Sequence, residues 1–304
     1  MYHVLLNPNA GRGRAFIQWQ FLEKLFNENG IKYTTHINTK KTDGYERAKE
    51  FAHSECCGII GIGGDGTLQK IVAGMFDADV KKPVPLGIFP AGSGNDFSMT
   101  LGNSYGKNAE QNARIFFETL MQGKTRTIDI ITANGTAYLN IGNIGLDARI
   151  VKNASALKDK YGKHAYLAAV YKSILQHKNI PLMIEIYSGE AGSEQFENKY
   201  TLVAVCNGQY YGGGMRIAPK ARIDDGKITL CLVKSIARPK AMILFPSILM
   251  QKHTHLKIVK IIECESVKIT LPEGGETLCL DGNLRHCTGQ IEFKIHPKAL
   301  DVFV

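Results

Sequence analysis

The sequence holds one tryptophan in 304 residues, no CxxC pair and no apolar run of membrane-spanning length. The longest apolar stretch, 241–250, is broken by Pro246 and Ser247, and a spanning helix needs roughly 20 residues. The opening Met-Tyr-His-Val-Leu-Leu-Asn has neither a basic start nor a long apolar core. No secretory signal is therefore expected, and a cytoplasmic location is. The seven cysteines are odd in number, which argues against a disulfide framework and for a reducing compartment. No internal repeat appears, which excludes a solenoid. A hydrophobic fraction of 44% against 21% charged excludes a disordered chain.

What is present is length and positive charge. At 304 residues two domains are the default, with a core large enough to need no staples. The formal net charge is +9. Residues 1–125 carry 14 basic and 12 acidic side chains, and 126–304 carry 23 and 16. Most of the excess, +7, therefore lies in the second part. It comes in clusters such as Lys234, Arg238 and Lys240, then Lys252, Lys257 and Lys260. A basic balance points to an acidic partner. No nucleic-acid-reading motif accompanies it, so no nucleic acid is expected. An anionic membrane surface or a phosphate-rich substrate ranks ahead.

Hydrophobic patterning predicts strands at 3–6, 31–37, 58–63 and 85–90, and helices at 15–28, 42–53 and 68–76. Such alternation implies βαβ units and a mostly parallel sheet. After about residue 125 the pattern changes. A hairpin turns at Asn134-Gly135. Further strands are predicted at 182–187, 200–206, 228–233, 257–263, 266–271, 277–281 and 290–295, with helices at 163–177 and 238–251. Runs of closely spaced strands predict an antiparallel β-sandwich, whose edges offer a pairing surface for a homodimer. The expected division is an α/β domain over 1–125 and a sandwich over 126–295, with a tail of about 296–304 returning to the first.

Two loops carry chemistry. Gly63-Gly64-Asp65-Gly66-Thr67 lies between a buried strand and a helix. Its glycines let the backbone approach a ligand, and the helix that follows aims free N–H groups at a phosphate. Asp65 is an acid among those phosphates, where a divalent ion bridges it to a nucleotide. Pro90-Ala91-Gly92-Ser93-Gly94-Asn95-Asp96-Phe97 also directly follows a strand. Both loops belong to the carboxyl edge of a parallel sheet, where open α/β sheets bind ligands. The loop Asn7–Gly13 and Thr39 are expected at the same edge.

NPNAG, GGDGT and PAGSGNDF, in this order, resemble the catalytic domain of the diacylglycerol kinase family, which includes soluble bacterial lipid kinases and the sphingosine and ceramide kinases. Asn140–Ala148, YGKHAYL at 161–167, NGQYYGGGMRIAP at 207–219, Asp224-Asp225-Gly226 and Leu280-Asp281-Gly282 continue the resemblance over essentially the whole chain. The resemblance implies an ATP-dependent kinase acting on a lipid alcohol. It implies a nucleotide cradled by Asn7, Asn9, Gly11, Thr39, Gly63, Gly64, Asp65, Gly66, Thr67, Gly92, Ser93 and Asn95. It also implies a structural Mg²⁺ site formed by Asp225 with the backbone carbonyls of Arg222 and Lys227, with Asp224 beside them as a further candidate ligand. Asp281 is the expected proton acceptor, Asp65 the phosphate–Mg²⁺ anchor and Asp96 a supporting carboxylate. Such a protein works at the inner membrane surface.

Two positions depart from the family pattern. Asn283 stands where the family has the glutamate of D-G-E, and Lys70 where it has an acid after GGDGT. They keep open a nucleotide- or lipid-binding regulator without turnover, and GGDGT alone also fits NAD kinases. Elsewhere, His253 and His255 read as surface histidines, Cys56, Cys57 and Trp19 as core. Arg12 and Arg14 follow the first loop, within reach of phosphate or anionic lipid.

Overall fold

The computed structural model describes residues 1–304 except 41, 81–83, 104, 107, 162–164 and 190–191; for 155–161, 165–167 and 249 it describes the backbone alone. The chain opens with β1 (Tyr2–Leu6), α1 (Arg14–Glu28), β2 (Tyr33–Ile37), α2 (Asp43–Ala52), β3 (Gly58–Gly63), α3 (Asp65–Asp77) and β4 (Leu86–Pro90). The order β4-β3-β1-β2 is parallel throughout. Every residue of β1, β3 and β4 is buried, as expected for strands covered on both faces. Trp19, Leu22 and Phe26 recur at helical spacing on α1 and bury that face against the sheet.

Two helices follow that patterning had not marked, α4 (Asp96–Thr100) and α5 (Ala109–Gln122). α5 is bounded by local chemistry: the Asn108 side chain accepts from Gln111 N at 3.1 Å, and Gly123 turns the end at φ 63°.

The remaining elements are β5 (Thr125–Ala133), β6 (Thr136–Tyr138), β7 (Ile141–Gly145), α6 (Leu146–Tyr161), α7 (Ala165–Gln176), β8 (Ile180–Tyr187), β9 (Ser193–Cys206), the short pair β10 (Tyr210–Tyr211) and β11 (Met215–Arg216), β12 (Ile228–Lys234), α8 (Arg238–Leu249), β13 (Val259–Cys264), β14 (Ser266–Thr270), β15 (Glu276–Leu280), β16 (Asn283–Cys287) and β17 (Gln290–Phe303). Residues 162–164 of the YGKHAYL segment, at the start of the helix expected at 163–177, lie outside the described residues; the helix is described from Ala165. One antiparallel layer runs β16-β15-β7-β9-β12-β13 and the other β9-β8-β14-β17-β5-β6. β9 serves both layers, pairing with β8 over 193–200 and with β7 over 202–206. Ile184, Val203, Leu230, Ile269, Leu278 and Phe293 are among the residues packed between them. The molecule is thus an α/β domain with parallel strands joined to a β-sandwich.

β17 runs beyond the expected 290–295. It pairs with β5 up to His296, breaks register, and resumes at Leu300; Val302 then lies parallel to Leu86 of β4. Buried Asp129 of β5 holds the break. Its two oxygens accept from Lys298 N at 2.8 Å and Gly226 N at 2.7 Å. Three smaller expectations change. Cys57 is exposed and Cys56 half-buried, because they sit on the loop leading into β3 rather than in the strand. His253 is buried, its ring Nε2 2.9 Å from the Ile217 carbonyl, while His255 is exposed. Among the described residues no helix is long and apolar enough to cross a membrane.

Candidate active site

The site is built where β1, β3 and β4 end. Asn7 follows β1, and its Nδ2 donates to Thr67 Oγ1 at 2.9 Å; its Oδ1 accepts from Asn9 N at 3.2 Å. Gly11, Arg12 and Gly13 all adopt positive φ, at 59°, 62° and 88°. A Cβ on Gly11 would meet the Ala91 carbonyl, so the first loop lies directly on the third. Gly64 and Gly92 touch backbone to backbone: a Cβ on Gly92 would stand 2.4 Å from Gly64 Cα. Arg14 donates to the Gly92 carbonyl, and the Asn95 side chain closes the same turn by accepting from Gly92 N at 2.7 Å. The glycines therefore let three loops pack without side chains between them.

α3 begins at Asp65 rather than at the expected Leu68, so the acid of GGDGT is the first residue of the helix. Its Oδ1 accepts from Phe97 N at 3.1 Å. Burial pushes its carboxyl up, opposed by the N–H groups of Phe97, Asp96 and Asn95. Asp96 accepts from Gly213 N and Gly214 N at 3.0 and 2.7 Å. The Gly-Gly-Gly run of the second domain thus grips a carboxylate of the first. Burial, then the charge of Asp65, raises the Asp96 pKa to about 6.

A cleft of about 790 Å³ opens between these loops and the sandwich, within the usual range for small-molecule sites. Of the residues expected to bind nucleotide or do chemistry, Gly11, Asp65, Gly92, Ser93, Asp96 and Asp281 line it, with Arg12 and Arg14. Asn7, Asn9, Gly63, Gly64, Gly66, Thr67 and Asn95 lie behind this lining and shape the loops. Thr39 stays apart: its N–H and hydroxyl go to Asp43 at 2.7 and 3.0 Å, at the exposed start of α2.

Asp281 is not disposed as a proton acceptor. It sits in a left-handed turn at φ 45°, 7% exposed. Oδ2 accepts from Leu139 N at 2.8 Å and Oδ1 from Ile141 N at 2.8 Å, and Asn140 N approaches both at 3.2 Å. The carboxylate is saturated by three consecutive amides and anchors the turn entering β7. Burial raises its pKa to about 7 against those N–H groups. Asn283 also faces inward, but as a donor: Nδ2 reaches Gly66 O at 2.9 Å and Gln69 Oε1 at 2.8 Å.

Residues that sequence reasoning had not assigned also reach the cleft: Asn140, Asn143, Asp147 and Tyr211. The only chain-level signal for Asp147 was its place in the segment Asn140–Ala148. It is 3% exposed, Tyr211 Oη donates to its Oδ1 at 3.2 Å, and burial raises its pKa to about 7. Against this region lies an apolar pocket floored by Leu202 and Val233 and roofed by Leu244, Phe245 and Ile248 of α8.

The expected metal turn is less acidic than its sequence. Asp224 is taken by Arg126, whose Nη2 lies 2.7 Å from Oδ2, and by Arg222 at 3.5 Å; the Arg126 bond holds its carboxyl below the usual range. That leaves Asp225, whose Oδ1 accepts from Lys227 N at 3.0 Å. Burial and the charges of Glu263 and Asp129 raise the Asp225 pKa, a negative crowding that a cation would relieve. Among the described residues no group of three or more His, Cys, Asp and Glu side chains is disposed to hold a metal. The donor set fits only a hard cation taking one carboxylate, carbonyls and water.

Residues 1–133 match the family profile described as the diacylglycerol kinase catalytic domain, and 141–304 that of the YegS C-terminal NAD kinase beta sandwich-like domain. A diacylglycerol kinase of Mycobacterium tuberculosis is 27% identical over 98% of this chain and 93% of its own. One of Bacillus subtilis is 28% identical over 92% of this chain and 88% of its own. A diacylglycerol kinase structure from Bacillus anthracis shares the fold, with TM-score 0.70 at 21% identity, covering 99% of this chain and 96% of that one. A yeast NADH kinase structure is more distant, with TM-score 0.50 at 9% identity over 99% of this chain and 82% of that one. The two profiles together leave only residues 134–140 unmatched, and the chain belongs to the diacylglycerol kinase family of lipid kinases.

Proposed function

We propose that the protein transfers the γ-phosphate of ATP to the hydroxyl of a lipid, diacylglycerol-like or sphingoid-like. One observation carries this reading: a polar cleft with glycine-rich walls, arginines and carboxylates abuts an apolar pocket. A phosphate donor suits the first and an alkyl chain the second. Gly11, Gly92 and Ser93 shape the nucleotide side, and Arg12 and Arg14 bring positive charge to it. Asp65 holds the phosphate end. Asp96, gripped by Gly213 and Gly214, keeps the two domains in register rather than reacting. Asp225 with the carbonyls of Arg222 and Lys227 would hold a structural Mg²⁺ beside Asp129, outside the lining of the cleft. Asp224, bound to Arg126, is left out of that set.

Membrane contact belongs to the same proposal. Between Asp225 and Glu263 there is no acid, while Lys227, Lys234, Arg238, Lys240, Lys252, Lys257 and Lys260 are basic. α8 lies within this segment, and its Ile243 is 76% exposed.

The test is transfer from radiolabelled ATP to dioctanoylglycerol, sphingosine and a polyprenol in mixed micelles, with NAD as a control acceptor. Label in at least one lipid and none in NADP is expected. Folded protein that binds ATP yet labels no lipid would sink the kinase reading in favour of a regulator.

A further inference from the structure

Asp147 is the first acid of α6 and is 3% exposed at the cleft wall, yet only one of its oxygens is satisfied. Tyr211 donates to Oδ1; Oδ2 is buried with no hydrogen-bond partner among the described residues. A buried carboxylate oxygen without a donor is costly, and folds retain such groups where a ligand supplies the missing bond. Its position says which ligand. Asp147 and Tyr211 are the two described residues that line both the polar cleft and the apolar pocket. A molecule whose chain lies on the pocket side and whose reacting oxygen faces the cleft has this pair, at the neck between the two, beside its reacting end.

The other cleft carboxylates are already engaged. Asp281 holds three amides, Asp96 holds Gly213 and Gly214, and Asp65 holds Phe97 N. The titratable groups around Asp147 are the Tyr211 phenol, the thiols of Cys206, Cys231 and Cys279, and, across the pocket, His253. Burial drives all three thiols upward, two of them to about 12, and drives His253 down, so these stay neutral near pH 7. Among the described residues, Asp147 is the one group at the neck that can accept a proton there.

We propose that Asp147 binds the acceptor hydroxyl through Oδ2 and takes its proton during transfer, which deepens, and rests on, the kinase reading above. The hydroxyl oxygen forms the new bond to the γ-phosphorus as its proton passes to Oδ2. The bond from that phosphorus to the β–γ bridging oxygen breaks, and its electron pair leaves on ADP. Among the described residues the neck offers one carboxylate and no cation, a lining that selects an uncharged or amine-bearing lipid alcohol and rejects a lipid whose reacting end already carries phosphate.

Asp147→Asn keeps the size and the Tyr211 partner but cannot take the proton. Its kcat on dioctanoylglycerol is expected to fall at least a hundredfold, with the fluorescent-nucleotide Kd within twofold. The wild-type rate rises with pH through about 7 as Asp147 ionises, and this limb disappears in the variant. The fold gives a separate readout. A carboxyl whose native pKa is raised stabilises the protein below its unfolded pKa near 4, and that contribution is lost as pH rises through about 7. Asp147→Asn therefore raises Tm relative to wild type at pH 8 and not at pH 4. A kcat within threefold of wild type with the limb intact would overturn the proposal.

If the wild type transfers phosphate to no lipid, the kinase reading fails, and titration still decides the site. Wild type binds dioctanoylglycerol at least tenfold more tightly than the ether in which its hydroxyl is methylated, and Asp147→Leu abolishes the preference. Equal binding of alcohol and ether by wild type would refute the assignment.

Discussion

Asn283 shows how much one atom type decides. Its amide points two hydrogen bonds at acceptors, Gly66 O and Gln69 Oε1, while Gln69 Nε2 is committed to the buried Ala137 carbonyl at 2.8 Å. A glutamate at 283 would set a carboxylate against both oxygens with no donor between them. Turning the Gln69 amide would only move the clash onto Ala137. Asn283→Glu is therefore expected to cost about 1–3 kcal/mol in chemical denaturation and to give no gain in kcat. A cycle with Gln69→Ala recovers part of the loss, and a severalfold rise in kcat would contradict the argument. The missing family glutamate is matched by a local amide pair, which no reading of position 283 alone reveals. Asp281 is the parallel case. The sequence marks it as an acid before a glycine, but the three amides that saturate it come from residues 139–141.

At the scale of elements, what could be read was what repeats locally. β3 is a continuous apolar run, α1 has its buried face at helical spacing, and the Asn134-Gly135 hairpin announces itself in two residues. α4, α5, α6, β7 and β16 were not marked. β7 reads Ile-Gly-Asn-Ile-Gly, too short and glycine-rich to stand out, and is a strand because β9 and β15 flank it. The glycine loops were legible as phosphate-type turns, but not their contact with each other. That contact makes a firm prediction. Gly92→Ala puts a methyl 2.4 Å from Gly64 Cα and 2.9 Å from Asn95 Oδ1, neither of which is the free end of a flexible chain. The two loops must part. Affinity for a fluorescent nucleotide is expected to drop at least tenfold while the far-ultraviolet circular dichroism, dominated by elements away from the loops, stays unchanged. Unaltered affinity would mean that this contact does not shape the nucleotide site.

Over the whole molecule, the +9 of the sequence becomes a question of where charge and apolar surface coincide. α8 answers it. Ala241, Leu244, Phe245 and Ile248 line the apolar pocket, while Ile243 and, just beyond the helix, Met250 are exposed by 76% and 60%. The α8 sequence from Ala241 to Leu249 offers only Ser247 as a polar side chain, and its flanks, Arg238, Lys240 and Lys252, are all basic. An apolar ridge between cations, with no acid from 226 to 262, suits an anionic bilayer better than water. Each cation near such a surface contributes about 1 kcal/mol at physiological ionic strength. On the docking proposed above, α8 is the element that meets the bilayer, beside the apolar pocket it lines. Ile243→Asp should therefore weaken sedimentation with phosphatidylserine-containing vesicles at least tenfold, and Lys240→Glu should do so at low salt far more than at high salt. Partition of either variant equal to wild type would move the membrane contact to another face of the molecule and leave the +7 of the second part as a solvated surface.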